Sequence, residues 1–274
     1  MKKYEICRKL GLLTLGWLFS YPIVLQMTLT SSLATPIKFK LPTPPQRGIS
    51  GNRSAAASRD KCPEVAQPLT ALVPEYRTSK QDQNPNVWSL TGMERPTFLF
   101  YIPYAKNSIV NISFTLQDES NPAETGIVYE NLKILPAQTP GVMQVVLPNS
   151  VTPLAPNKPY HWFLNLNMAC TIGQRPIYVE GWLQRVDVAR TLRKQLEGAT
   201  PLEQVALYAD NGLWSDALTT LANLRAAKPK DPALSQDWRN LLDSIELGHL
   251  ASQPFADERR SARSQESREK SLGY

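Results

Sequence analysis

The residues best suited to chemistry are a group of acids in one region and a histidine further along the chain. Asp118 and Glu119 are adjacent, Glu124 and Glu130 follow closely, and His161 stands beside a tryptophan. Two carboxylates about 5–10 Å apart can hydrolyse a glycoside, and carboxylate oxygens with loop carbonyls can hold calcium. A histidine can serve as a general base. These residue types raise the hypothesis of a hydrolase.

No motif completes such a site. The chain lacks the nucleophile elbow of serine hydrolases and any glycine-rich phosphate loop. It has no Cys-x-x-Cys pair, and its histidines, His161 and His249, are not at the spacing of zinc ligands. We therefore predict no catalytic residues, no metal and no cofactor, with Asp118 and Glu119 in a turn and His161 as a structural side chain. A hydrolase that uses these three residues is kept as an alternative.

Aromatic residues form a second group of candidates, because an exposed ring can bind a polysaccharide or a protein partner. Most lie on predicted strands and are expected in the core. Trp88 differs, since it lies in a polar loop predicted over residues 75–92, and long loops are often functional. The candidates for partner or ligand binding are Trp88, Tyr101, Tyr104, Trp162, Trp182 and Trp214.

Most of these groups must be positioned by residues 62–188, whose apolar pattern has the period of two that is typical of strands. For example, Val110, Ile112, Phe114 and Leu116 alternate with polar residues. Short strands separated by Pro, Gly and Asn favour an antiparallel β-sandwich of about seven strands, with Gly181 at a bulge. The predicted strands cover residues 69–73, 97–102, 110–117, 127–134, 143–147, 160–168 and 177–183.

Residues 189–250 have the apolar spacing of helices. Thr200 to Glu203 form a capping box with proline at the first helical position. Asn211-Gly212 ends that helix, a second helix begins near Trp214, and Asp231-Pro232 begins a third. The predicted fold class is therefore α+β, an antiparallel β-sandwich followed by a small all-helical module of three to four helices.

The first 34 residues have the layout of an export signal. Four basic residues precede an apolar run over residues 10–29, and Ser32-Leu33-Ala34 offers small residues for cleavage. The run is also long enough to span a bilayer, so an uncleaved membrane anchor is the alternative. Both readings predict a protein of the periplasm or cell envelope.

The formal net charge of +6 is unevenly distributed. Residues 35–61 are rich in Pro, Gly and Ser and carry +5, which predicts an extended or disordered linker, either a solvated spacer or a tether close to a membrane or another anionic surface. Residues 251–274 are predicted to be a disordered tail. Residues 62–256 carry 15 basic and 18 acidic side chains. A nucleic-acid partner is therefore excluded.

Cys62 and Cys170 are the two cysteines outside the signal segment. An even pair in an exported chain predicts one disulfide. Two buried free thiols are the alternative.

The spacing of Gly212, Trp214, Ala217 and Pro229 resembles that of a tetratricopeptide repeat. The resemblance covers about one repeat, residues 201–232, and the first helix departs from the usual pattern. Because a single repeat cannot bury its apolar face alone, the resemblance implies packing on the third helix, on the sandwich or on a partner. An ordinary helical hairpin is the alternative.

A wider resemblance extends over residues 62–186. It is carried by Cys62, Leu69–Pro74, Glu94–Tyr104, Phe114–Glu119, Pro140–Val142, Leu147-Pro148, Tyr160–Trp162, Cys170 and Gly181–Val186. These segments resemble a family of exported cyanobacterial proteins catalogued as a domain of unknown function. Members usually have a Gly/Arg-rich stretch before the first cysteine, which residues 46–53 match only in part. The resemblance implies an exported two-part protein and no known activity.

Together these features predict a non-catalytic exported protein that acts in protein–protein interaction, with an envelope protein as its partner. A carbohydrate-binding module for wall or sheath polysaccharide is the first alternative, and it requires exposed, coplanar aromatic rings. A glycoside or ester hydrolase is the second.

Overall fold

Among the residues that the structure describes, ten strands precede four helices. The computed structural model describes residues 37–45, 50–55, 62–79, 82, 84–121, 125–171 and 176–256. The predicted signal peptide, Glu124 and residues 257–274 of the predicted tail lie outside the described residues. The strands are β1 Ser54–Ala55, β2 Leu69–Ala71, β3 Glu75–Tyr76, β4 Asn86–Thr91, β5 Thr97–Ile102, β6 Ile109–Asp118, β7 Gly126–Ile134, β8 Gly141–Val146, β9 Pro159–Met168 and β10 Ile177–Arg185.

The strands form two sheets that pack face to face. The smaller sheet has the order β1-β2-β5-β8, and the larger has the order β3-β4-β10-β9-β6-β7. All neighbours are antiparallel except β4 and β10, which run parallel. Apolar side chains from both sheets share one core, in which Phe98 and Phe100 of the smaller sheet contact Phe114 and Trp162 of the larger. The predicted sandwich is confirmed.

Most predicted strands are present, with small changes at their ends. Ile112, Phe114 and Leu116 face the core as the period of two requires, but Val110 is 54% exposed. The pairing of β6 with β9 shifts register between Ile109 and Asn111, and a one-residue irregularity moves the next side chain to the other face. Gly181 pairs with Trp162 in an unbroken register, so the predicted bulge there is wrong. A side chain at Gly181 would instead collide with the Trp162 ring.

The predicted loop over residues 75–92 is wrong at its two ends, which are β3 and β4. Val87 and Trp88 are buried, and β4 obtains its hydrogen bonds from β10, almost a hundred residues away. A strand of this kind is stabilised by a distant partner, so its own residues give only a weak local signal.

Cys62 and Cys170 form a disulfide with an S–S distance of 2.09 Å, which confirms the predicted pairing. It joins the segment before β2 to the turn after β9, and Cys170 packs against the sandwich core. The bond thereby connects residues 108 positions apart in the chain.

Four helices follow the strands: α1 Arg190–Gly198, α2 Pro201–Asp210, α3 Trp214–Ala227 and α4 Pro232–Asp243. The capping box at α2 is confirmed, because Thr200 accepts from the Glu203 amide while the Glu203 carboxylate accepts from the Thr200 amide. Gly212 has a positive φ of 74°, a conformation that glycine adopts at little cost where a helix ends. Asp231 caps α4 through hydrogen bonds from two backbone amides.

The helices pack on the outer face of the smaller sheet and form a second apolar core with it. Leu72, Leu99, Tyr101 and Val142 contribute to this core from the sandwich side, opposite residues of α1 to α4. The smaller sheet is therefore buried on both faces, which explains why β5 is apolar on both sides. The molecule has three layers: the larger sheet, the smaller sheet and the helices.

Parts of the predicted linker and tail belong to this second core. Ile37 and Phe39 are buried in it, and the Lys40 amide donates to the Ala209 carbonyl at 3.0 Å. Phe255 packs on Trp238. The prediction of a free spacer is wrong at these positions, because alternating apolar side chains give the extended segment something to bury. Among the described residues, no helix is long and apolar enough to cross a membrane.

Candidate functional site

The aromatic residues predicted to bind a ligand or partner are all buried. None of the six is more than 8% exposed, so the prediction of exposed binding rings is wrong for each of them. They are Trp88, Tyr101, Tyr104, Trp162, Trp182 and Trp214.

Each of these rings has a packing role. The Trp214 indole N–H donates to the Leu72 carbonyl at 2.8 Å, and the ring meets Phe39 edge to face. Trp88 and Trp182 pack against each other in a small cluster of their own. Large aromatic side chains bury much area, so they are used first to fill cores. The polysaccharide alternative required exposed aromatic rings, and these six rings do not provide them.

The acids and the histidine considered for catalysis separate into two groups. His161 Nδ1 lies 2.9 Å from Glu119 Oε1, and His161 Nε2 lies 3.3 Å from Glu180 Oε2. The imidazole stacks on Trp182 with ring centroids 4.1 Å apart, and the Phe163 ring is equally close. Nδ1 is hydrogen-bonded to Glu119, whereas the buried Nε2 makes no hydrogen bond although Glu180 lies nearby. The ring is held in place by the Glu119 contact and by stacking on Trp182.

Asp118 has a different partner, because its carboxylate accepts from Lys158 Nζ at 3.1 Å and from the Ser120 amide at 2.9 Å. Burial raises the pKa of Asp118, but these hydrogen bonds and the Lys158 charge outweigh it and leave the pKa below its usual value. Asp118 and Glu119 thus diverge at the end of β6, as expected of a turn. Within the described part of the chain, no three His, Cys, Asp or Glu residues are placed to hold a metal ion.

Glu180 lies between this histidine cluster and a polar cleft beside β10 of the larger sheet. The segment Ser50–Arg53 runs beside the first half of β10, with the Asn52 amide donating to the Glu180 carbonyl and the Glu180 amide donating to the Asn52 carbonyl. Between this segment, β10 and the residues after β3 lies a cleft of about 720 Å³. Its lining consists of Ser50, Gly51, Asn52, Arg53, Ser54, Glu75, Arg77, Asp82, Asn84, Pro85, Tyr178 and Glu180.

Opposite charges alternate along the floor of the cleft. Arg77 donates to the Glu75 carboxylate at 2.7 Å and to the Asp82 carbonyl at 2.7 Å. Arg53 lies behind them, where it donates to the Ile245 carbonyl at 3.0 Å. Burial lowers the pKa of Arg53, although the nearby Glu75 charge opposes the shift. Hydrogen bonds from Thr78 lower the pKa of Asp82, which keeps its carboxylate ionised.

Tyr178 is the exposed aromatic residue of this cleft. It lies on β10, two residues before Glu180 on the same face of the strand, and is 41% exposed. Asn52 Nδ2 donates to the Tyr178 backbone carbonyl at 3.2 Å, which ties the strand to the opposite wall. The cleft therefore presents one aromatic ring beside amides, guanidinium groups and carboxylates.

Sequence reasoning missed this cleft because its residues are distributed over four separate segments. The one local signal is on β10, where Tyr178 and Glu180 stand at the positions that alternate with the buried Ile177 and Val179. A period of two identifies their face as the outer one. It does not show which part of the chain lies opposite, because Asn52 comes from the predicted linker.

The fold and the cleft define a β-sandwich protein with a docked helical layer and a polar cleft. The chain belongs to the family described as Domain of Unknown Function (DUF928), whose model matches residues 54–255. The matched region contains both sheets and all four helices. The family carries no assigned activity, so function must be argued from the site.

No curated protein matches the chain. Among solved structures, one titled "Structure of T.fusca AA10A" is similar to part of it, with 13% sequence identity and a TM-score of 0.26. The alignment covers 37% of this chain and 53% of that chain, so this chain spans about half of its length. No functional conclusion is based on this similarity.

Proposed function

We propose that the protein is an exported, non-catalytic binding protein of a cyanobacterial periplasm or cell envelope, and that it binds its partner in the polar cleft beside β10. The observation that carries the proposal is the cleft itself, where polar side chains from four segments and an exposed Tyr178 surround about 720 Å³. Binding sites for small or extended ligands typically occupy 300–1,000 Å³.

Export is supported by the layout of residues 1–34 and by the disulfide. Disulfides form and persist in oxidising compartments and are rare in the cytosol. The Cys62–Cys170 bond therefore agrees with the basic and apolar signal pattern at the N-terminus.

A non-catalytic role is supported by how the candidate groups are used. The Nδ1 of His161 is bonded to Glu119, its Nε2 is buried from solvent, and Asp118 is paired with Lys158. A general base must have an atom available for the proton that it removes. The geometry of these side chains instead fixes the loop after β6 against β9 and β10.

The helical module gives little support to a peptide partner. A repeat-like hairpin binds peptides through an exposed groove, but here α3 packs on the smaller sheet and Phe39 covers Trp214. The apolar surface that a partner helix would need is occupied by the protein itself. The cleft is therefore the surface to test, against both an envelope protein and an envelope polysaccharide.

The test is co-sedimentation of the purified protein with envelope fragments from cells that produce it. The double variant Tyr178→Ala/Glu180→Gln is expected to lose binding by about tenfold or more, since removing one anchor and one charged hydrogen-bonding group typically costs more than 1 kcal/mol. The matched control is Val146→Ala/Glu197→Gln, which changes an exposed strand residue on the smaller sheet and an exposed acid on α1. Equal binding by the cleft and control variants would refute the proposed site.

A further inference from the structure

We infer that the ligand of the cleft is an uncharged polyhydroxylated chain, that is, a segment of neutral polysaccharide. This inference rests on the proposed function, because it names the class of ligand for the same cleft. It differs from the carbohydrate hypothesis drawn from the sequence, since none of the six aromatic residues proposed there lines the cleft.

The first argument is hydrogen-bonding chemistry. Within the cleft, carboxylates that only accept stand beside guanidinium groups that only donate, as in Arg77 with Glu75, and the amides Asn52 and Asn84 can do both. A hydroxyl group donates one hydrogen bond and accepts others. A ligand with a hydroxyl on nearly every carbon can therefore match such a mixed lining without leaving charged groups unpaired.

The second argument is charge. The described side chains that line the cleft include two cations, Arg53 and Arg77, and three anions, Glu75, Asp82 and Glu180. Arg53 and Glu75 are both largely buried and paired with each other, so Arg77, Asp82 and Glu180 are the charged groups that remain toward the ligand. An acidic polymer would approach more negative than positive charge and is disfavoured, because like charges that are brought together without compensation weaken binding.

The third argument is the aromatic ring at the rim. Tyr178 presents an exposed ring with a polar hydroxyl, and the C–H face of a sugar ring is an apolar surface of similar size. A protein partner is disfavoured, because the centres of protein interfaces are depleted in charged residues, whereas five of the twelve lining residues are charged.

The histidine cluster has a role in this arrangement. His161 Nε2 lies 3.3 Å from Glu180 Oε2, and Trp182 holds the imidazole by stacking. His161 Nε2 makes no hydrogen bond, so the imidazole limits the position of Glu180 by contact alone, on the side away from Tyr178 along the strand.

The experiment is affinity electrophoresis of the intact purified protein in gels that contain one polymer each. The neutral probes are hydroxyethylcellulose, dextran, galactomannan and xylan, and the acidic probe is alginate. We expect retardation by at least one neutral polymer and none by alginate. Tyr178→Ala and Glu180→Gln should each raise the apparent dissociation constant about tenfold, while the controls Val146→Ala and Glu197→Gln should leave it unchanged.

Several results would overturn the inference: no retardation by any neutral polymer, stronger retardation by alginate, or retardation that the cleft variants do not reduce. Co-sedimentation with envelope fragments distinguishes failure of this inference from failure of the proposed function. If envelope binding depends on the cleft but is abolished by proteinase treatment of the fragments, the site stands and its ligand is a protein. If envelope binding is independent of the cleft, the proposed function itself is wrong.

Discussion

Two regions of the molecule differ in the kind of residue that forms them. One is the junction between the helices and the smaller sheet, and the other is the cleft beside β10. The junction contains residues with recognisable sequence patterns, including Trp214 and Ala217 of the repeat-like spacing and the buried Trp238. The cleft contains scattered polar residues with no motif. The patterned residues of the junction pack against the protein, whereas the unpatterned residues surround the open volume. In this molecule, the recognisable patterns identify structural contacts and do not identify the cleft.

The difference has a physical basis. Helix caps and apolar stripes recur because they satisfy local backbone groups and bury area between neighbouring elements. A cleft lining is assembled from distant segments whose residues need only be polar and correctly placed. Four predictions test this contrast, and they begin with the largest expected effect.

Replacing Trp214 by alanine should destabilise the protein by about 5 kcal/mol, at the upper end for a buried tryptophan. The ring is 1% exposed, and its N–H bond to the Leu72 carbonyl would be lost as well. Chemical denaturation measures the change. Trp214→Phe keeps most of the volume and should cost less than half as much. A loss below about 1 kcal/mol for Trp214→Ala would show that the helices are only loosely attached.

Asp216 should make the junction sensitive to pH. Its side chain is buried at the start of α3, where Oδ2 accepts from the Gly92 amide at 3.1 Å. Burial raises the pKa of Asp216 to about 7, although hydrogen bonds from Thr91 and Gly92 oppose the shift. Because the folded protein favours the protonated carboxyl, this contribution to stability is complete below about pH 4 and is lost as the pH rises through 7. The loss is about 4 kcal/mol.

The measurement is the free energy of unfolding of wild type and Asp216→Asn between pH 4 and pH 8. Asparagine does not ionise, so the variant should become more stable relative to wild type as the pH rises through this window. The control is Asp210→Asn, which changes an exposed acid at the end of α2. A constant difference between Asp216→Asn and wild type would disprove the buried-acid account.

Phe39→Ala should cost about 3 kcal/mol, the lower end for a buried phenylalanine, since Phe39 is buried against Trp214 in a segment that lacks regular secondary structure. Leu41→Ala, at an exposed site two residues later, should change stability by less than 0.5 kcal/mol or so. The effect should appear as a lower denaturation midpoint with an unchanged slope. Equal, small effects from both variants would contradict this packing and would support the free linker that the composition of residues 35–61 suggests.

The sandwich was predictable because β6 alternates polar and apolar residues from Asn111 to Gln117, and β9 has an apolar residue at every second position from Tyr160 to Met168. That period identifies both the strand and its buried face. The capping box of α2 and the disulfide were predictable from short local patterns. In contrast, β4 and the ordered segment before β1 depend on partners far away in the chain. Their residues resemble those of polar loops and linkers, so only the assembled fold shows their role.

The candidate site was likewise predictable only in the part that depends on local sequence. Glu119 and His161 were considered together from the sequence and lie in contact, but their neighbours Glu180 and Trp182 belong to another strand. The interpretation of the histidine changes once those neighbours are known, because Nδ1 is bonded to Glu119 and Nε2 is buried. Tyr178 was not identified, since a single exposed tyrosine on a strand is common and carries no motif.

Among the four predictions, Tyr178→Ala has the smallest expected effect on stability. Tyr178 is 41% exposed on the outer face of β10, so its removal should change the free energy of unfolding by less than about 0.5 kcal/mol. Trp182→Ala is the contrasting variant, because the buried Trp182 stacks on His161 and donates to the Ser50 carbonyl, and it should cost at least 3 kcal/mol or so. Chemical denaturation of both proteins measures the difference. If Tyr178→Ala proved as destabilising as Trp182→Ala, the Tyr178 ring would be a packing element. The contrast between a structural junction and an open cleft would then not hold for Tyr178.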